Sequence, residues 1–191
     1  RAIKQIAPHR LIFFGAVGRS SRMNILETNR LVLRLLTLAD AADLYHIYSD
    51  PETMKFMGKA PDSVEEERNN IQSHISHHYE KYGVGMWATV LKENNRLIGR
   101  CGLMRKQIEV AEEVEIAYLL DREYWGKGLA TEPAEAIVKY GYAKYGFKRI
   151  VAVIHPQNVA SIRVVEKIGM KYERDVLYGA IGKVALYALD A

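Results

Sequence analysis

Glu115-Ile-Ala-Tyr-Leu-Leu-Asp-Arg-Glu-Tyr-Trp-Gly-Lys-Gly-Leu-Ala-Thr131 decides the reading of this chain. Alternating and apolar residues to Leu120 read as a strand, Trp125 to Thr131 as a glycine-rich turn, and the amphipathic stretch to Tyr145 as a helix. Gly126 and Gly128 permit a tight turn that brings bare N–H groups close to a ligand. The helix opening beside them adds its own unpaired N–H groups and its positive dipole end. Strand, turn and helix together make a socket for a diphosphate.

The details separate the kinds of socket. A P-loop requires Gly-Lys-Ser/Thr, and Lys127 is followed by Gly128. A dinucleotide fingerprint requires a third glycine where Thr131 stands and an acidic residue closing the next strand, which here ends at Ile154-His155-Pro156. Trp125-Gly-Lys-Gly-Leu-Ala130 instead resembles the pyrophosphate loop of the GCN5-related N-acetyltransferases, Gln/Arg-x-x-Gly-x-Gly/Ala, with Trp125 departing from Gln/Arg. Tyr-Trp-Gly-x-Gly-x-Ala-Thr-Glu is similar to the variant of the branch that acetylates ribosomal-protein N-termini. Asn158-Val-Ala-Ser161-Ile-Arg-Val-Val-Glu-Lys-Ile-Gly169-Met resembles the same branch's Asn-x-x-Ser-x-x-x-x-Glu-Lys-x-Gly-Phe, and Leu26 to Arg34 resembles its first strand. The likeness runs from about Met23 to Leu189.

Working outward, Arg30–Leu36 reads as a strand. A helix is expected over Leu38–Ser49 and a second from the N-cap Ser63 to about Tyr82. Val84–Leu91 and Arg96–Met104 form a hairpin, and Val114–Leu120 is the strand entering the glycine turn. Leu129, Ile137, Val138, Gly141, Tyr142 and Tyr145 share a helical face that Gly146 ends, although Pro133, about a turn in, threatens one helical bond. A strand at 150–154, a helix at 158–168 and strands near 170–178 and 182–188 follow. The fold class is α+β; the resemblance implies a single mixed, mostly antiparallel sheet, splayed at the cofactor site and flanked by helices.

Composition narrows the partners. With 191 residues, 49% hydrophobic, the chain can bury one substantial core. Its +4 charge is a property of the first 22 residues, which hold Arg1, Lys4, Arg10, Arg19 and Arg22 and no acid; the rest carries 22 basic against 23 acidic residues. No basic stretch is interleaved with aromatics as a nucleic-acid face would be. Residues 1–22 are expected to be an extension ahead of a domain at 23–191, because the apolar run Leu11–Val17 is short for a secretion signal and no clean small-x-small cleavage site precedes Met23. No stretch is long enough to span a membrane, and one cysteine, Cys101, suits a reducing cytoplasm. Oligomeric state is left open between monomer and homodimer.

The family resemblance implies direct transfer from acetyl-CoA to an amine, with no metal. By that resemblance, pantetheine pairs with the backbone of Tyr118, Leu119 and Leu120. The pyrophosphate lies on Gly126, Lys127, Gly128, Leu129, Ala130 and Thr131, and Asn158 contacts the cofactor while capping its helix. A backbone N–H near Ala117 or Tyr118 is the expected oxyanion donor. Glu115, alternating with Ala117 on the strand that passes the thioester, is the first candidate for general base, working through a water; Glu113 shares its face and is the second. The competing reading of Glu115 is an exposed strand carboxylate. The usual Tyr acid four residues beyond position 161 is Val165 here, so Ser161 is the candidate acid, against a helix-start serine bonding its own backbone.

Other residues are read as structural. His74, with His78 at i, i+4 and His77 beside it, is expected on a solvated helix face, since no third metal ligand joins the pair. Cys101 is expected in the core and Tyr140, Tyr142 and Tyr145 in packing. Glu65, Glu66 and Glu67 either attract a cationic acceptor to the cleft or complement the helix dipole. The acceptor is expected to be a primary amine at a ribosomal-type protein N-terminus; a small-molecule amine, or a non-catalytic acyl-CoA-binding module, is the alternative.

Overall fold

The computed structural model describes residues 23–191, so the expectation for residues 1–22 falls outside it. Strands β1 (Asn24–Glu27), β2 (Leu31–Arg34), β3 (Met86–Leu91), β4 (Arg96–Ile108), β5 (Ala111–Leu120), β6 (Arg149–Ile154), β7 (Lys171–Tyr178) and β8 (Gly182–Asp190) form one sheet in the order β1-β2-β3-β4-β5-β6-β8-β7. All neighbours are antiparallel except β5 and β6. Helices α1 (Ala41–Tyr48), α2 (Pro51–Met54), α3 (Val64–His74) and α4 (Glu80–Tyr82) lie between β2 and β3, α5 (Thr131–Tyr145) between β5 and β6, and α6 (Val159–Lys167) between β6 and β7. The α+β class and the single mixed sheet agree with expectation.

Alternation along the strands divides the core. Leu103, Ile116, Ile150 and Ala152 point to one face and pack under Ile137 and Val138 of α5 and Val165 of α6. Ala88, Leu97 and Leu119 point to the other face, beneath Leu44 and Ile47 of α1 and Ile71 of α3.

Four elements differ from the sequence reading. Leu26–Arg34 is a tight hairpin rather than one strand: Glu27 pairs with Val32 across a turn in which the Thr28 N–H donates to Leu31 O. β4 and β5 run beyond their expected ends to a two-residue turn at Glu109-Val110, because the polar residues 105–107 and 112–113 belong to the ladder rather than to a loop. Pro133 stands at the third position of α5, among the N–H groups that lack an intrahelical partner in any helix, so it costs no bond.

The fourth difference is the π-helical turn Ile75–Tyr79 inside the second helix. β2 pairs with β3 only as far as Arg34↔Ala88, which strands the backbone of Leu36 and Met86. His74 and Tyr79, five residues apart and brought to one face by the wider turn, replace the missing strand: the Met86 N–H donates to His74 Nε2 at 2.8 Å, and the Tyr79 hydroxyl accepts from Leu36 N–H and donates to Met86 O. His74 is therefore half-buried structure and not a solvated helix face. Burial, then His78, lowers its pKa to about 3, so it is neutral.

A buried bidentate ion pair fixes the entry to α1. Arg34 Nη2 and Nη1 meet Asp40 Oδ1 and Oδ2 at 2.7 and 2.8 Å. Burial pushes the Asp40 carboxyl up, but Arg34 and the Thr37 N–H outweigh it and hold the group below its usual range.

Candidate functional site

β5 and β6 touch at one register pair, Glu115↔Val151, and then diverge. The Asp121 N–H donates to Ile98 O, so by strand alternation the backbones of Leu119 and Ala117 point to β4, and those of Tyr118 and Leu120 point into the gap. This sharpens the expectation: of Tyr118, Leu119 and Leu120, the first offers a free backbone edge to a ligand and the last its N–H, the Leu120 carbonyl being taken by Trp125, and the N–H at the gap belongs to Tyr118 and not to Ala117. Leu119 instead buries its side chain under α1.

The gap runs into the glycine turn. Trp125, which stands where Gln/Arg is usual, donates its indole N–H to Leu120 O at 2.8 Å and so pins the end of β5 to the turn. Gly126 and Gly128 have φ of 72° and 74°, the left-handed region that glycine enters without strain. No N–H from Gly126 through Thr131 donates to an acceptor among the described residues, although α5 begins there and Leu129 is buried. Six successive donors around a helix N-terminus form a concave, positive surface suited to a diphosphate.

Side chains from a distant part of the chain brace this turn. Glu132, in the first turn of α5, accepts from Thr28 Oγ1 at 2.6 Å and from Arg30 N–H and Nε at 2.8 and 2.6 Å, while Arg30 Nη1 donates to Lys127 O at 2.9 Å. The two motif segments Leu26–Arg34 and Trp125–Glu132 are thereby tied together. Sequence reasoning assigned no role to Glu132, Arg30 or Thr28; their presence inside quoted motifs was the available signal.

The candidate catalytic residues lie at the two sides of the gap. Glu115, 5% exposed, is not the exposed strand carboxylate of the competing reading. Its Oε2 accepts from the Tyr178 hydroxyl at 2.7 Å, while Oε1 makes no hydrogen bond to the described residues and is not sealed from solvent. Burial raises its pKa, against the Tyr178 hydrogen bond and the Lys106 charge, which lower it. Such a carboxylate is a stronger base than an exposed one. Glu113 pairs with Arg149 at 3.3 Å and is thereby occupied. Tyr178, on β7, was missed, since nothing local marks it.

Across the gap, Asn158 Oδ1 accepts from the Ser161 N–H at 3.1 Å and caps α6, leaving its amide N–H₂ available to a ligand. Ser161 Oγ makes no hydrogen bond to the described residues, unlike a serine bonding its own backbone; the Tyr118 hydroxyl donates to the Ser161 carbonyl at 3.0 Å. Val165 is 0% exposed and wholly core, so the position usual for a Tyr acid faces away from the gap.

The other face of the gap is roofed by α1 and α2. Phe56, just after α2, stacks on His155 at the end of β6, with ring centroids 5.0 Å apart. Ser49 and Asp50 line, with Asp121 and Glu123, a cavity of about 530 Å³. The acidic triplet does not form a mouth for cations: Glu65 pairs with Arg68, Glu66 accepts from Asp62 N–H, and Glu67 is buried. Cys101 is core, as expected, with burial pushing its thiol pKa up. Among the described residues no group of His, Cys, Asp and Glu is arranged to hold a metal, and no helix is long and apolar enough to cross a membrane.

Comparison with known proteins agrees with this geometry. Residues 30–171 match the model of the acetyltransferase (GNAT) domain. An uncharacterized N-acetyltransferase p20 of Bacillus licheniformis is 34% identical over 152 residues, 79% of this chain and 84% of that one. The crystal structure of a GNAT-family acetyltransferase from Bacillus anthracis covers 86% of this chain and 96% of its own at 27% identity, with a TM-score of 0.73. RimL, a ribosomal L7/L12 α-N-protein acetyltransferase solved with coenzyme A, shares the fold at a TM-score of 0.74 and 19% identity, over 88% of this chain and 98% of its own. The spermidine N(1)-acetyltransferase of Escherichia coli is 26% identical over 69 residues, 36% of this chain and 37% of that one. Splayed strands, a glycine turn of unpaired donors and a family match spanning both place the chain in one group: it belongs to the GNAT acetyltransferase family.

Proposed function

We propose that the enzyme transfers acetyl from acetyl-CoA directly to the α-amine of a protein or peptide N-terminus, with Glu115 as general base. The observation that carries this reading is the placement of a buried carboxylate, one oxygen held and one open, at the point where β5 leaves β6 and its backbone becomes available. The Gly126–Thr131 N–H groups hold the pyrophosphate, Asn158 supplies an amide to the cofactor, and Tyr118 and Leu120 pair with the pantetheine arm.

The chemistry follows from these positions. Glu115 takes a proton from the acceptor's ammonium through a water at its open Oε1, freeing the neutral amine to attack, while Tyr178 keeps the other oxygen fixed. The Tyr118 N–H stabilises the charge that develops on the thioester oxygen. Ser161, half-buried with an uncommitted Oγ, returns a proton to the departing thiolate. A core Val165 removes the Tyr acid but leaves the other parts of the machine in place, which favours an enzyme over a mere acyl-CoA-binding module. Cys101, a lone buried thiol, suits a reducing cytoplasm.

Thiol release from acetyl-CoA tests this reading with N-terminal peptides beside diamines and aminoglycosides. Release with peptides supports it. Release with diamines alone moves the acceptor to small molecules, and binding of acetyl-CoA without release to any amine leaves only the binding module.

A further inference from the structure

Arg100, on β4, stands out among the charged groups of the acceptor face. It is half-buried, yet no hydrogen bond or ion pair engages its guanidinium among the described residues, and its Nε is buried without an acceptor. Its Cζ lies over the Tyr48 ring, 5.1 Å from the centroid, and its strand position pairs with Leu119, between the two residues whose backbone opens into the gap. Two more buried polar atoms without partners stand with it, Glu67 Oε1 on α3 and Tyr48 Oη on α1. Glu67 is 2% exposed and its nearest cation is farther than an ion pair allows, although Arg100 still draws its burial-raised pKa back down.

An uncommitted guanidinium in a partly desolvated cleft is costly unless it has a function, because its Nε–H has given up water without gaining an acceptor while its Nη groups stay open to a ligand. Its fixed fork suits a carbonyl or carboxylate oxygen and repels an ammonium. Tyr48 beneath it restrains the fork, so part of the ordering cost is met before the acceptor arrives.

We infer that Arg100 is a specificity-determining residue that binds a carbonyl or carboxylate oxygen on the body of the acceptor, selecting amino acids and peptide N-termini over polyamines. The assignment rests on the proposed reading of the gap as the acetyl-transfer site. A free amino acid and a peptide offer the same oxygen near the amine, and the test separates them.

Steady-state kinetics with wild type, Arg100→Gln and Arg100→Lys, using alanine, a short peptide with a free N-terminus and 1,4-diaminobutane, decides the matter. Arg100→Gln is expected to raise KM for the accepted carbonyl-bearing amine by about 10- to 100-fold, with Arg100→Lys intermediate and acetyl-CoA affinity unchanged. Any activity toward the diamine is expected to hold or rise. A peptide KM unaffected by Arg100→Gln in a folded protein overturns the inference alone, and a fall in melting temperature without a change in KM assigns Arg100 to structure. Acetylation of the diamine only overturns both the inference and the N-terminal reading.

Discussion

The donor and acceptor sides of the gap are built from different materials. In the proposed site the working atoms on the donor side are backbone: the edge of Tyr118 and Leu120 and the N–H groups from Gly126 to Thr131. On the proposed acceptor side they are side chains gathered from β4, β5, β7, α1 and α3: Arg100, Glu115, Tyr178, Tyr48 and Glu67. A backbone site tolerates any side chain that leaves its dihedrals alone, whereas a side-chain site changes with single substitutions. One fold can therefore keep its donor while varying its acceptor.

The largest effect is expected where backbone conformation is the function. In Gly128→Val a β-branched residue must adopt φ near 74°, and acetyl-CoA affinity should fall by at least about 100-fold. The Cβ itself meets only Arg30 Nη2 at 3.5 Å, so the fold should survive. Calorimetric titration beside a melting curve checks both points. A milder loosening comes from Glu132→Ala, which removes the acceptor for Thr28 and Arg30; about tenfold weaker acetyl-CoA binding is expected, with acceptor KM unchanged. Equal losses in both would show that the two sides are not separable.

On the acceptor side, Tyr178→Phe should alter pH dependence more than rate. As the proposed base, Glu115 must be ionised to accept a proton, so activity should be lost as pH falls through its raised pKa. The Tyr178 hydrogen bond favours the ionised form, so its removal should move the acid limb of kcat/KM upward by up to about one pH unit. A limb that stays in place would separate Tyr178 from Glu115.

A further effect, away from the site, concerns stability. His74 is neutral in the fold with a pKa near 3, whereas the unfolded chain gains its proton near 6.5. Its contribution is intact above the unfolded value and shrinks as pH falls, by about 2 kcal/mol between pH 7 and pH 5. Urea titrations of His74→Gln at the two pH values should show a flatter dependence than wild type.

What the sequence disclosed follows the same division. The strand, turn and helix of the donor side depend on local φ and apolar periodicity, which a single stretch such as Trp125–Thr131 displays. Tyr178 lies 63 residues from Glu115, and Thr28 lies 104 from Glu132. Only folding brings them together. The π-turn escaped notice because a spacing of five belongs to no ordinary helical face, and the ends of β4 and β5 were hidden by charged residues on an exposed hairpin. The Asn158 cap was legible because a cap motif is local.

The two sides meet at Glu115, and its replacement tests their joint account most directly. Turnover and acetyl-CoA affinity of Glu115→Gln should be measured on one preparation between about pH 6 and 9; a loss of about 100-fold in kcat with affinity intact is predicted, because only a proton path is removed. Wild-type turnover by Glu115→Gln across that range would contradict the account.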